Sequence, residues 1–297
     1  MDRSASSGLA KIYIAISVSK PAVGSLGAIP ALCLIIPVMG VGIARVALGA
    51  FGLWSDFGKS GFSGAGFSSF DFSLAKSVEL TLLIASISTA LALCVGALAA
   101  IYIYQARRHS RLLKIGVAVV LLTPHLVSAV SINLLLGDSG LLARLLRPEL
   151  HFWPQFIAGP YWLGVIINFA WKESAFVTLM LLAVLPNNTS GMLEAAQMLK
   201  AGPKRVLRQV LFPLVKPSLI LSGGLAFIYT VGSYEAAWLL GRSYPEPLAV
   251  LTYRLFTNSD LVFRPQAYAS AMISLIIIAT TGVAMVLWLR KIPRWNP

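Results

Sequence analysis

The sequence predicts an all-α membrane protein that crosses the bilayer six times. Of its 297 residues, 57% are hydrophobic and only 12% are charged, whereas about 25% of the residues of an ordinary soluble domain are charged. No soluble fold of this length buries so much apolar surface, and a disordered chain would be far less hydrophobic. The apolar residues also fall into six runs, each close to the length of about 20 residues that spans the hydrocarbon core as a helix.

Each apolar run is predicted to be a helix, because lipid offers no hydrogen-bond partner to a free backbone group. The predicted spans cover residues 26–50, 78–104, 115–136, 161–185, 218–240 and 267–289. One long connection, residues 186–217, joins the fourth span to the fifth. The whole chain, residues 1–297, is predicted to form a single transmembrane domain.

The distribution of Lys and Arg predicts that both termini face the cytoplasm. The excess of 24 basic over 11 acidic residues would suggest nucleic acid in a soluble protein, but in a membrane protein it marks cytoplasmic connections that face anionic lipid. With the termini inside, the cytoplasmic segments carry 15 Lys and Arg and the outer segments carry 7. The opposite orientation would place the basic tract at residues 107–114 outside. We therefore expect contact with membrane lipid and none with nucleic acid.

The 186–217 connection contains two short helical patterns. Residues 192–200 are mostly good helix formers, and Gly202 followed by Pro203 interrupts them. Residues 204–212 then form an amphipathic pattern with an apolar stripe at helical spacing. One interpretation is a basic hairpin that rests on lipid headgroups.

The same connection resembles the cytoplasmic signature of permease subunits of type I ABC importers, the binding-protein-dependent transport family. That pattern begins with Glu-Ala-Ala, has Gly six residues after the Glu, and closes with a hydrophobic stretch before Pro. The residues that match are Glu194, Ala195, Ala196 and Pro213. Lys200 occupies the place of the glycine, and Gly202 lies two residues later. The turn between the two short helices is therefore either less sharp than in the family or shifted by two residues.

The resemblance implies a division of labour between subunits. The permease would pair with a second permease to enclose a substrate pathway in a bacterial inner membrane, and an extracytoplasmic binding protein would deliver the substrate. Two ATPase subunits would hold the loop at Glu194, Ala195 and Ala196, with Gly202 and Pro213 shaping it. ATP and Mg²⁺ would bind to those subunits, since this chain has no Walker A pattern. No enzymatic activity, cofactor or metal is expected in the chain itself.

Residues 232–235 and 238–241 resemble the polyamine, ferric-iron and thiamine branch of the family more than the sugar branch. By analogy with that branch, the second permease is expected to be a different chain. A sugar-type or iron-type importer remains the alternative for the substrate.

Two groups of polar residues are candidates for the substrate pathway. Lys172 and Glu173 lie in the middle of the fourth span, where ionisable side chains are costly and face protein or water. Neighbouring helical positions point about 100° apart, so the two cannot face one direction. Either they pair with neighbouring helices or one of them lines the pathway.

The second group lies late in the fifth predicted span and consists of Ser233, Tyr234, Glu235 and Trp238. A carboxylate among aromatic rings suits a cationic solute, such as a polyamine, through charge and cation–π attraction. The alternative is a carboxylate that merely marks the end of a helix at the membrane interface.

Two other classes of function fit the sequence less well. A membrane enzyme would need clustered acids, His or Cys, and the three His residues are scattered. A secondary transporter would show related halves with broken spans, and it would leave the 186–217 loop unexplained.

The predicted topology is testable with single cysteines introduced at Ser190 and Ser63. The Lys and Arg distribution places the first inside and the second outside. In intact cells, a membrane-impermeant thiol reagent should label the Ser63→Cys variant and not the Ser190→Cys variant. The reverse labelling pattern would contradict the orientation.

Overall fold

The computed structural model describes residues 21–54, 61–68, 72–106, 110–150, 152–188, 196, 198–200 and 202–291. Every regular element in these ranges is helical. The helices are α1 (Pro21–Ala50), α2 (Ala65–Ser68), α3 (Phe72–Gln105), α4 (Ser110–Leu122), α5 (His125–Leu136), α6 (Leu141–Leu150), α7 (Leu163–Asn188), α8 (Pro203–Val206), α9 (Phe212–Gly232), α10 (Glu235–Leu240), α11 (Leu248–Phe256) and α12 (Arg264–Lys291). A π-helical turn, Leu207–Leu211, joins α8 to α9, and a 3₁₀ turn, Leu261–Phe263, precedes α12.

Six segments are long and apolar enough to cross a membrane, which confirms the predicted all-α, six-span fold. They are Ile29–Ala50, Ser73–Gln105, His125–Leu146, Leu163–Leu185, Leu207–Gly232 and Leu261–Lys291. The first, second, fourth and sixth overlap closely with the predicted spans. The third and the fifth differ, because in each of them the helix is broken inside the apolar run.

The third span was predicted as one helix over residues 115–136, and this is wrong. Helix α4 has 13 residues, a length of about 20 Å at 1.5 Å per residue, and it ends before Thr123. Pro124 has no backbone N–H and disfavours a helical residue before it. A new helix, α5, therefore begins at His125, and the apolar segment that can span the membrane runs on to Leu146.

The fifth span was predicted over residues 218–240, and its limits are also wrong. The structure has one continuous helical segment from Pro203 through α8, the π-helical turn and α9 to Gly232. Pro213 cannot donate a backbone hydrogen bond to the preceding turn, and the wider π turn lies just before it. At the other end, Ser233 adopts an extended backbone, with φ −80° and ψ 125°. The predicted last part of the span is thus a separate six-residue helix, α10.

Helices α3 and α7 form the centre of the bundle. At Gly96, the two backbones approach so closely that an added Cβ would lie 2.8 Å from the carbonyl oxygen of Ser174. The Thr178 hydroxyl donates to the Gly96 carbonyl at 3.2 Å across the same contact. Close approach at small residues, with a hydroxyl bond across it, is a common way for membrane helices to associate. Side chains from both helices, together with Leu211 of the π-helical turn, then bury one another in the cluster Ala100, Ile103, Val177, Leu181, Leu182, Leu185 and Leu211.

Candidate functional site

The loop that follows α7 exposes two large apolar side chains. Glu194 and Ala195 lie outside the described residues. Ala196 is helical and buried within the chain, with 8% of its surface exposed. Met198 and Leu199 are 85% and 82% exposed. The contact residues predicted from the sequence are small, whereas the large apolar side chains exposed beside the turn are Met198 and Leu199.

The turn of the loop is at Lys200, not at Gly202. Lys200 has a φ of +50°, the left-handed region that usually requires glycine. Gly202 has no positive φ, and its carbonyl accepts hydrogen bonds from the amides of Arg205 at 2.9 Å and Val206 at 3.1 Å. The second of the two predicted possibilities, a turn shifted by two residues, is therefore wrong: a lysine adopts the left-handed conformation at the place where the family pattern has glycine.

Lys172 is buried and bonds to the end of another helix. Only 1% of its surface is exposed. Its Nζ donates to the carbonyl of Val120 at 2.9 Å, to that of Leu121 at 3.3 Å, and to that of Thr123. These carbonyls belong to the last turn of α4 and the break that follows, where the helical ladder of backbone hydrogen bonds ends; the Val120 carbonyl also accepts a 3.3 Å bond from the Thr123 amide. The ammonium group therefore satisfies the chain break at Pro124 and ties α4 to α7.

Glu173 lies one residue further along α7. It is 7% exposed. Nearby on α7, Asn168 Oδ1 accepts a 2.8 Å bond from the Ser128 hydroxyl of α5, and the buried Asn168 Nδ2 has no partner among the described residues. The His125 ring of α5 lies 4.5 Å from the Tyr229 ring of α9. Polar side chains from α5, α7 and α9 thus meet inside the membrane-spanning part of the bundle.

The structure separates the predicted group at residues 233–238. Ser233 and Tyr234 form the break between α9 and α10, and Glu235 is the first residue of α10. Glu235 is exposed and has no ion-pair partner within the described ranges. Trp238 is 60% exposed and stacks on Tyr234, with 6.0 Å between ring centroids.

Behind the two aromatic rings lies a cavity of about 500 Å³. It is at the end of the bundle opposite the 186–217 loop, since α9 runs from one end to the other. Its lining residues are Tyr234, Ala237, Trp238, Gly241, Arg242, Ser243, Glu246, Val250, Tyr253, Arg254 and Thr257. Of the four predicted residues, only Tyr234 and Trp238 line it.

The charged residues of this cavity were missed as site residues by the sequence analysis. Arg254 forms an ion pair with the buried Glu246, to which its Nε donates at 2.7 Å. It does not pair with Glu235. Arg242 also lines the cavity, and its buried Nε has no partner in the described part of the chain. The available signal was two arginines within a short predicted outer connection, which the sequence suggested only as residues that could neutralise Glu235.

A Lys172→Met variant tests the bond between α7 and the break after α4. Methionine keeps the length of the side chain but cannot donate to the freed carbonyls, and an unsatisfied buried acceptor costs about 1–3 kcal/mol. We expect a lower unfolding temperature for the purified protein in detergent. The control is Lys114→Met, which removes an exposed lysine from α4. An equal unfolding temperature for Lys172→Met and wild type would contradict this role.

Comparison with known proteins identifies the family. The family model described as "Binding-protein-dependent transport system inner membrane component" matches residues 92–293. The inner membrane ABC transporter permease protein YnjC of Escherichia coli (strain K12) is 29% identical over 180 residues, 58% of this chain and 34% of YnjC. The molybdenum transport system permease protein ModB of Azotobacter vinelandii is 29% identical over 195 residues, 64% of this chain and 83% of ModB.

The fold matches that of a solved importer. One chain of a bacterial ABC transporter involved in the import of the acidic polysaccharide alginate superposes with a TM-score of 0.74 and 15% identity, over 92% of this chain and 96% of that chain. At this identity the likeness concerns the fold alone.

This chain spans only about a third of YnjC. Because the family match covers more than half of the sequence, including the last four of the six spans and the end of the second, the chain belongs to the family of binding-protein-dependent transport system inner membrane components, which includes permease subunits of ABC importers.

Proposed function

We propose that this chain is the membrane-spanning permease subunit of an ATP-driven importer and forms half of its substrate pathway. The observation that carries the proposal is the loop after α7, within the matched family region, which presents two exposed apolar side chains next to a left-handed turn. The chain would act as one transmembrane domain in a bacterial inner membrane, with both termini and this loop in the cytoplasm. Six apolar spans and the family match support a multi-pass membrane location.

The loop would couple the permease to an ATPase subunit. Met198 and Leu199 are exposed to more than four fifths, and full burial of such a side chain contributes about 1.5–3 kcal/mol. A cleft on the ATPase would supply that burial. Glu194 and Ala195 would extend the same contact, as the resemblance implies. Since the loop leaves from α7 and continues into α9 without a break from Pro203, a displacement of the loop would move both helices.

The other partners follow from the family. ATP and Mg²⁺ would bind to two ATPase subunits, and ATP hydrolysis would take place there. A second permease, which the branch resemblance suggests is a different chain, would close the pathway, and an extracytoplasmic binding protein would deliver the solute. Of the two charged candidates on α7, Glu173 would line the pathway, because Lys172 is engaged with carbonyl groups of α4 and of the break that follows.

The proposed solute is a small polar molecule, and there are two candidates for its charge. The cationic candidate, a polyamine, rests on the exposed carboxylate of Glu235. A specific observation favours a second candidate, an anionic solute: the cavity beside Glu235 contains Arg242 and Arg254, and its one carboxylate is already paired. The relatives compared above share no named solute that would decide between the two.

The coupling proposal is tested by Leu199→Asp in the full-length chain, co-expressed with its ATPase subunits. Placing a carboxylate at the contact removes apolar burial of about 1.5–3 kcal/mol, equal to a loss of about tenfold or more in affinity. The ATPase should be lost from the purified complex while the permease still inserts into the membrane. The matched control is Phe152→Asp, at an exposed position in the connection between α6 and α7. Retention of the ATPase by Leu199→Asp would support a loop that rests on lipid headgroups.

The cationic candidate is tested by Glu235→Gln, which keeps the shape of the side chain and removes its charge. If Glu235 attracts the solute, uptake of putrescine or spermidine should fall about tenfold, the size of one charge contact of about 1.4 kcal/mol. Association with the ATPases and their basal rate should persist. The control is Glu79→Gln, which removes another exposed carboxylate near the start of α3. Unchanged uptake in Glu235→Gln, or no polyamine uptake in wild type, would contradict the cationic candidate.

A further inference from the structure

The cavity behind Tyr234 and Trp238 is rich in hydrogen-bond donors and positive charge. Arg242 and Arg254 both line it, and Glu246 is the only acidic residue in its wall. The net charge of the lining residues is therefore +1. Further donors are the hydroxyl groups of Ser243, Thr257 and the two tyrosines, and the indole N–H of Trp238.

Glu246 does not compete for a ligand, because it is occupied by Arg254. It is 4% exposed, and one of its oxygens accepts hydrogen bonds from both Nε and Nη2 of Arg254. This pair fixes the plane of the Arg254 guanidinium group. The side chain of Arg254 is nevertheless 58% exposed, and Nη1 takes no part in the bonds to Glu246. The guanidinium group of Arg254 is thus held in place and keeps N–H groups that can donate to a ligand.

Arg242 supplies the charge that no acid in the cavity neutralises. Its Nε is buried and has no hydrogen-bond partner among the described residues, although buried donors in proteins are almost always satisfied. Arg242 follows Gly241, whose amide bonds to the Ala237 carbonyl at the end of α10. The guanidinium group of Arg242 lines the cavity without an ion-pair partner among the described residues, and such a group is suited to an oxyanion or carboxylate, which accepts several of its N–H groups at once.

The aromatic residues form a second wall of the same cavity. The rings of Tyr234 and Tyr253 lie 4.4 Å apart, and Tyr234 also stacks on Trp238. Trp238 and Tyr253 are 60% and 52% exposed in this chain, so the rings form an apolar side of a cavity that is open to solvent. A cation could use the same faces, but the two arginines would repel it.

We propose that this cavity binds the anionic group of a small solute, a tetrahedral oxyanion or a carboxylate, through Arg242 with Arg254 as the second donor. That the cavity holds the solute during transport rests on the proposed importer function, whereas the binding chemistry of the cavity does not. A carboxylate side chain of the binding protein offers the same chemistry from a different source, and the experiment must separate the two.

The experiment uses the full-length permease with its ATPase subunits in phosphatidylcholine nanodiscs. Its unfolding temperature is measured against increasing sodium sulfate or sodium phosphate, with sodium chloride at equal ionic strength as the reference. Wild type should be stabilised by sulfate or phosphate in a saturable way beyond the chloride reference. Arg242→Gln should weaken the apparent affinity about tenfold or more, and Arg254→Lys, which keeps the charge but not the planar fork, should weaken it less. Arg144→Gln is the control, because Arg144 is exposed and donates to the Ser139 carbonyl in another connection.

Two results would overturn the proposal: no saturable stabilisation of wild type by either anion, or an equal loss of affinity in Arg242→Gln and Arg144→Gln. A third would assign the cavity to the binding protein instead. In that case Arg242→Gln weakens the docking of the binding protein, while neither anion stabilises wild type.

Co-purification of the ATPases, measured on the same samples, reports on the importer function independently. A complex that retains its ATPases but shows no anion effect rejects the cavity proposal alone, and a permease that binds anions but never retains an ATPase rejects the importer function alone.

Discussion

The structure depends on the requirement that backbone polar groups within a bilayer find partners inside the protein. A continuous helix meets this requirement by itself, so each interruption of a helix needs a local solution. Within the described ranges, such interruptions lie at Thr123–Pro124 between α4 and α5, at residues 137–140 between α5 and α6, and at Ser233–Tyr234 between α9 and α10. The first is satisfied by the ammonium group of Lys172, which reaches across from α7. The break at Ser233–Tyr234 lies beside the cavity.

This requirement explains why a lysine can be buried in the centre of the membrane-spanning bundle. An ammonium group without partners would be costly there. Three carbonyl oxygens from the end of α4 and the break at Pro124 replace part of its hydration, and the lysine in turn removes the need for water at the break. The ammonium group of Lys172 and the carbonyl groups at the break therefore stabilise one another, and this contact joins α7 to α4.

The rigid contact between α3 and α7 and the continuous segment from Pro203 to Gly232 connect the two ends of the molecule. At Gly96 the backbones of α3 and α7 are in direct contact, so α7 cannot bend there without moving α3. The other helical segment joins the turn at Lys200 to the break that precedes α10. A displacement of the loop that contains Met198 and Leu199 would therefore also move the opposite end of the bundle, next to the cavity with Arg242. A lysine in a left-handed turn costs about 1–2 kcal/mol relative to glycine, which the surrounding fold offsets.

The sequence by itself determined the fold class, the number of spans and the family, because these follow from the length of apolar runs and from one local motif. The limits of the third and fifth spans could not be predicted from the sequence, because hydropathy is averaged over about 19 residues. Such an average does not show a helix break at Pro124 or Ser233 inside an apolar run. Local sequence also left the loop turn undecided, and only the backbone shows that Lys200 adopts the left-handed conformation. The tertiary structure alone decided the surroundings of the charged groups: Lys172 bonds to the end of α4, and Arg242 lines a cavity in which Arg254 pairs with Glu246. These surroundings depend on how the helices and their connections pack in space, which the spacing of residues along one segment does not encode.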